Sequence, residues 1–118
     1  MNSCKVFAWL DDLEMSACLA KLSTLHSYEL QFCEKKTQLT SIQNISVFIV
    51  DLDGKNEKEL IQIHSFVPEK GITIIGYTKS LNITLKKYFM KFGYNIVFRR
   101  NDILKNLDSV LKNIFNAV

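Results

Sequence analysis

The stretch FIVDLDGKN, residues 48–56, ends an apolar run in Asp51 and Asp53 and follows them with Gly54 and Lys55. A carboxylate at the tip of a strand can attack phosphorus, hold a metal ion, or cap the next element, and its partners decide which. The chain offers Asp11 and Asp12 after an earlier apolar run, Thr78 after a later one, and Arg99 and Arg100 after the last. Close-set carboxylates repel one another unless a cation compensates, so Asp11, Asp12 and Asp51 read as a site for Mg²⁺. A hydroxyl at Thr78 and a guanidinium at Arg99 or Arg100 add what a phosphoryl group needs: a hydrogen-bonding partner and a fixed positive charge. Each residue also has a plainer role. Asp12 serves equally as a helix N-cap, Asp51 or Asp53 as a turn residue, Thr78 as an ordinary strand end, and the arginines as surface charge.

Five short runs rich in β-branched and aromatic residues, at 6–10, 28–32, 45–50, 72–77 and 94–98, read as strands. Between them lie segments of helical spacing. Met15, Cys18, Leu19, Leu22 and Leu25 recur as one helix face, and Leu104, Leu107, Val110, Leu111, Ile114 and Phe115 mark an amphipathic C-terminal helix. The helix expected between the second and third strands has the faintest pattern. Strands alternating with helices imply right-handed crossovers and a parallel sheet covered on both faces. The near-continuous apolar runs ISVFIV and ITIIGY suit strands buried on both sides. The expected fold is therefore α/β: a doubly wound, five-stranded parallel sheet, flavodoxin-like, of order 2-1-3-4-5. In that order the first and third strands are neighbours, and their carboxyl ends border the crevice where such folds bind ligands.

A chain of 118 residues fits one domain, taken as 1–118, with a core large enough to fold unaided. With 47% hydrophobic and 23% charged residues it is ordinary globular material. The net charge of +3 comes from dispersed lysines, with Lys35-Lys36 and Lys86-Lys87 the densest pairs, so no nucleic-acid partner is expected. Cys4, Cys18 and Cys33 are widely spaced and suit reduced thiols. Charge at Lys5 and Asp11 interrupts the N-terminal apolar run, so neither a signal peptide nor a membrane partner is expected, and the location expected is cytoplasmic.

The order of these motifs resembles the receiver domain of two-component response regulators across essentially the whole chain. That pattern is an acidic pair after the first strand, a phosphoacceptor Asp after the third, Thr or Ser after the fourth, and Lys after the fifth. Here WLDD supplies Asp11 and Asp12, IVD supplies Asp51, and GYT supplies Thr78. Arg99 or Arg100 stands for the lysine, and spacing from Gly93 favours Arg100. The resemblance implies that Asp51 accepts a phosphoryl group from a sensor histidine kinase, with Asp12 and the backbone carbonyl of Asp53 helping to hold Mg²⁺. Thr78 would then move toward that group and repack the surface nearby. The resemblance further implies a signalling protein as partner, or a homodimer, meeting the face of the fourth helix, fifth strand and fifth helix. Lys86, Lys87 and Lys91 rim an apolar stripe there.

The chain departs from the pattern at four places. Arginine replaces the lysine, Lys79 follows Thr78 where a small residue is usual, Gly54-Lys55 replaces Met-Pro after the acceptor, and Val97 or Ile96 falls where a switching aromatic is expected. Lys79 is expected to obstruct a phosphodonor or to pair with Asp51. These departures point to an atypical receiver, signalling by protein contact and not an enzyme beyond transfer to its own Asp51. Two rivals remain open. DLDG resembles the first motif of haloacid-dehalogenase phosphohydrolases, with Asp51 as nucleophile, Asp53 as acid/base and Thr78 following, although a full βαβ unit precedes it. An interaction domain without chemistry would instead use Tyr88, Phe89 and Phe92, whose spacing with Leu85 otherwise suits a core.

Overall fold

The computed structural model describes residues 5–26, 28–33, 46–63 and 72–116. In chain order these form β1 (Lys5–Trp9), α1 (Leu13–His26), β2 (Glu29–Phe32), β3 (Ser46–Asp51), α2 (Glu57–Ile61), β4 (Ile72–Thr78), α3 (Ile83–Lys91), β5 (Ile96–Arg99) and α4 (Arg100–Asn116). All strand pairs are parallel and the order is β2-β1-β3-β4-β5. The doubly wound sheet expected from the sequence is the one observed. The helix expected between β2 and β3 lies outside the described residues.

Every residue of the central strand β3 is buried, because helices cover both faces. Strand alternation divides its side chains between two cores. Val47 and Ile49 join Met15 and Leu19 of α1 and Ile103, Leu107 and Leu111 of α4. Phe48 and Val50 join Leu60 of α2 and Phe89 of α3 on the other face. Caps set the short helices: Asn56 Oδ1 accepts from the Lys58 amide at 2.8 Å, and Asn82 Oδ1 from the Leu85 amide at 2.8 Å. Helix α3 stops at Gly93, whose φ of 104° turns the chain back toward the sheet.

Two expectations shift. Leu25, placed on the buried stripe of α1, is 65% exposed. At roughly 100° per residue it stands about 80° round the helix from Met15, off the face that meets the sheet. Strand β5 begins at Ile96 rather than at Tyr94. Asn95 stands in for a ladder residue, its Oδ1 accepting from the Ile74 amide and its own amide donating to the Ile74 carbonyl, each at 2.8 Å. Tyr94 is core instead, donating its hydroxyl to the Leu60 carbonyl at 2.8 Å.

Candidate functional site

Parallel register collects the candidate residues at one edge of the sheet. Trp9 pairs with Val50, Asp51 with Tyr77, and Thr78 with Arg99, so the carboxyl ends of β1, β3, β4 and β5 finish nearly level. Asp11 and Asp12 lie in the turn from β1 into α1, and Asp53 to Lys55 in the turn after β3.

Asp12 has two roles at once. Its Oδ1 accepts from the Met15 amide at 3.0 Å, which caps α1, and its two oxygens accept from Arg100, Nε at 2.7 Å and Nη2 at 3.1 Å. A third donor, the Tyr77 hydroxyl, lies 3.1 Å from Oδ2. The forked guanidinium matches the carboxylate geometry as an ammonium cannot. Its hydrogen bonds, with help from Met15 and Tyr77, hold the Asp12 carboxyl down at about 2 from 3.8 against the opposing effect of burial. Arg100 is the first residue of α4, so this ion pair ties the β1–α1 turn to the start of the last helix.

Asp53 is engaged elsewhere. Its Oδ1 accepts from the Thr78 hydroxyl at 2.7 Å and its Oδ2 from the Lys79 amide at 2.9 Å. Thr78 is therefore directed at Asp53, and both oxygens of the acid/base in the hydrolase reading already have donors. Asp51 is buried, 5% exposed, and its Oδ1 accepts from the Asp53 amide at 3.0 Å. Burial raises its pKa, with the Asp53 charge acting in the same sense, while the Asp53 and Asp11 amides and Lys55 act against them.

Lys55 supplies a second cation at this carboxylate edge. Gly54, at φ 75°, adopts the left-handed conformation that lets the chain fold back after Asp53. The Lys55 side chain, only 4% exposed, then lies with Nζ 4.6 Å from the centre of the Trp9 ring and 2.9 Å from Asp11 Oδ2. Lys79, expected to reach Asp51, is exposed and instead lines an open pocket of about 270 Å³ with Arg99, Arg100 and Asn101. Of the two lysines it is Lys55, following the turn at Gly54, whose charge acts on Asp51. Of the two arginines, Arg100 meets Asp12, while Arg99 is exposed.

The edge thus brings Asp11, Asp12, Asp51, Asp53, Thr78 and Arg100 together, but in separate pairs. Among the described residues no group of three or more carboxylate, imidazole or thiol side chains converges as a metal cage. Asp12 is engaged by Arg100, Asp11 by Lys55, and Asp53 by Thr78, so the residues as arranged do not fit a divalent ion. Sequence reasoning had passed over Tyr77 and Lys55. Strand alternation from Ile75 could have placed Tyr77 under α4, and the glycine before Lys55 is a signal for a turn back on itself.

No protein-family model matches the chain, and no curated protein sequence does. Its shape is shared with solved structures. A response regulator from Burkholderia pseudomallei, with a phosphorylated aspartic acid, a calcium ion and citrate, superposes with a TM-score of 0.74 at 14% identity, over 98% of this chain and 71% of that one. A response regulator of red-light signalling from R. palustris gives 0.70 at 15% identity, over 98% and 96%. The pilus assembly protein CpaE from Caulobacter crescentus gives 0.67 at 12% identity, over 90% and 92%. At such identities the likeness is one of fold, and the fold of this chain is that of receiver domains.

Proposed function

We propose that this chain, residues 1–118, is a receiver-fold signalling module that acts by binding another protein, its acidic edge balanced by its own cations. The bidentate Asp12–Arg100 pair carries this reading. The fixed charge that the receiver pattern holds in reserve for a phosphoryl group is committed here to a carboxylate, with Asp11 and Asp53 committed alongside. The surface of α3, β5 and α4 is the contact face: Ile83 and Met90 are exposed, with Lys86, Lys87 and Lys91 around them. Rim charges of this kind set encounter rate while apolar residues set affinity. A second copy of the chain and a different signalling protein are the two candidate occupants. The module carries no catalytic turnover of its own. Its thiols at Cys18 and Cys33 suit a reducing cytoplasm, and no helix among the described residues is long and apolar enough to cross a membrane.

The place of Asp51 at the tip of β3 favours a second reading, phosphorylation of Asp51 with Mg²⁺ by a histidine kinase. The response regulator from Burkholderia pseudomallei, with its phosphorylated aspartate and its calcium ion, supports the same reading. It requires a phosphodonor to reach Asp51, which is 5% exposed, and Lys55 to give way. Intact-mass measurement after incubation with acetyl phosphate and Mg²⁺ decides between them, paired with partner recovery by the wild type and Asp51→Asn. Unmodified protein and equal recovery are expected. A phosphoryl adduct lost in Asp51→Asn, together with altered recovery, would overturn the first reading in favour of the second.

A further inference from the structure

We propose that Lys55 is a tethered counter-cation that keeps divalent metal out of the acidic edge, so that removing its ammonium opens a site for Mg²⁺ or Mn²⁺ on Asp11 and Asp51. The inference concerns the cation that balances this edge and goes beyond the reading of the module as a protein-binding domain.

The placement of Lys55 differs from that of an ordinary surface lysine. Its side chain is 4% exposed although it follows a turn, and its carboxylate partner Asp11 is 69% exposed. A long, strongly hydrated side chain is drawn inward here by what it meets: the ammonium lies over the Trp9 ring and pairs with Asp11. Desolvating an ammonium is costly unless several partners repay it. Asp11, the Trp9 ring and the negative charge of Asp51 together do so.

The same placement excludes a metal. A divalent ion bound to Asp11 and Asp51 would sit within a few ångströms of the ammonium, and the repulsion between the two is stronger than either feels at the open surface. Asp12 offers little, because both its oxygens already accept from Arg100. Mg²⁺ keeps several waters and needs only one or two carboxylates from a protein. Asp11, which Lys55 now neutralises, and Asp51, on which its charge acts, are thus sufficient ligands once the lysine is gone. Gly54 takes a positive φ between Asp53 and Lys55, and the lysine after this turn meets Asp11.

The test compares the wild type with Lys55→Met, which keeps an unbranched stem over Trp9, and with Lys55→Arg, which keeps the charge. Mn²⁺ titrations followed by Trp9 fluorescence, Mg²⁺ calorimetry, and amide shifts of Asp11 and Asp51 by nuclear magnetic resonance report binding directly. The expected result is saturable binding in Lys55→Met at least about tenfold tighter than in the wild type or Lys55→Arg, and lost again when Asp11→Asn is added. Lys55→Gln takes the place of Lys55→Met should the latter fail to fold. The proposal is overturned if the neutral variant binds no more tightly than the wild type. It is equally overturned if the wild type itself binds Mg²⁺ with saturating shifts at Asp11 and Asp51. Neither result depends on whether any partner protein is recovered, so this inference and the proposed function can fail separately.

Discussion

Asp11 and Asp12 are adjacent in the chain, yet their ion pairs are built in opposite ways. Asp12 is 14% exposed and meets an arginine that is 20% exposed, so both charges are largely withdrawn from water and bonded in a fork. Asp11 is 69% exposed and meets a lysine that is 4% exposed, so only the cation is withdrawn. The first pair spans the β1–α1 turn and the start of α4, far apart in sequence, and breaking it strands a carboxylate largely withdrawn from water. The second spans two neighbouring turns, and breaking it leaves Asp11 in water while Asp51 keeps the Asp53 and Asp11 amides as donors. Partner chemistry therefore sets charge balance at both positions, but only the first is positioned to hold the fold together.

The largest expected effect follows from removing the forked partner. Arg100→Met leaves Asp12 with only the Met15 amide and the Tyr77 hydroxyl, and should cost about 3 kcal/mol in chemical denaturation. The acid limb of stability gives an independent check. Because the folded Asp12 carboxyl is held at about 2, below its ordinary 3.8, its contribution is present above about pH 4 and lost as pH falls toward 2. That decline should be shallower in Arg100→Met, and an unchanged acid limb would show that the pair is not what stabilises Asp12.

A smaller change is expected at Tyr77→Phe, which deletes one neutral donor to Asp12 while keeping the ring buried at 0% exposure. Thermal or denaturant unfolding should register a loss of about 1 kcal/mol. If the loss matched that of Arg100→Met, the hydroxyl and not the ion pair would be the main support of Asp12.

The smallest effect belongs to the second pair. Lys55→Met exchanges a buried ammonium for an apolar group of similar length over Trp9, and stability should stay within about 0.5 kcal/mol of the wild type or rise. A loss as large as that of Arg100→Met would erase the contrast between the two pairs. The same variant should nevertheless change metal binding most, which separates what holds the fold from what occupies the site.

Much of this edge could be read from residue order. The alternation of apolar runs with helical spacing was enough for a doubly wound parallel sheet, while its order 2-1-3-4-5 came only with the flavodoxin-like arrangement taken for it. Asp12 illustrates the ambiguity left at single residues. Capping and metal binding were rival readings of its position, and the structure has it cap α1 while its oxygens also accept from Arg100, a partner that neither reading named. The receiver pattern's spacing from Gly93 preferred Arg100 to Arg99, and Arg100 is the one that meets Asp12, whereas the role of Lys55 lay hidden, since a lysine in a turn looks the same in sequence whether it faces solvent or a tryptophan.

The sequence by itself determined which side chains gather at the carboxyl edge, since strand tips in a parallel sheet of known order finish together whatever their loops do. Only the tertiary structure decided which cation answers which carboxylate. Two lysines, Lys55 and Lys79, follow the tips of β3 and β4, but after Gly54 at φ 75° the first lies on Asp11 and Trp9. The second is held outward, as its amide is spent on Asp53. Pairing at this edge depends on backbone turns and on side-chain reach across register-matched strands, and neither is written in any one stretch of residues.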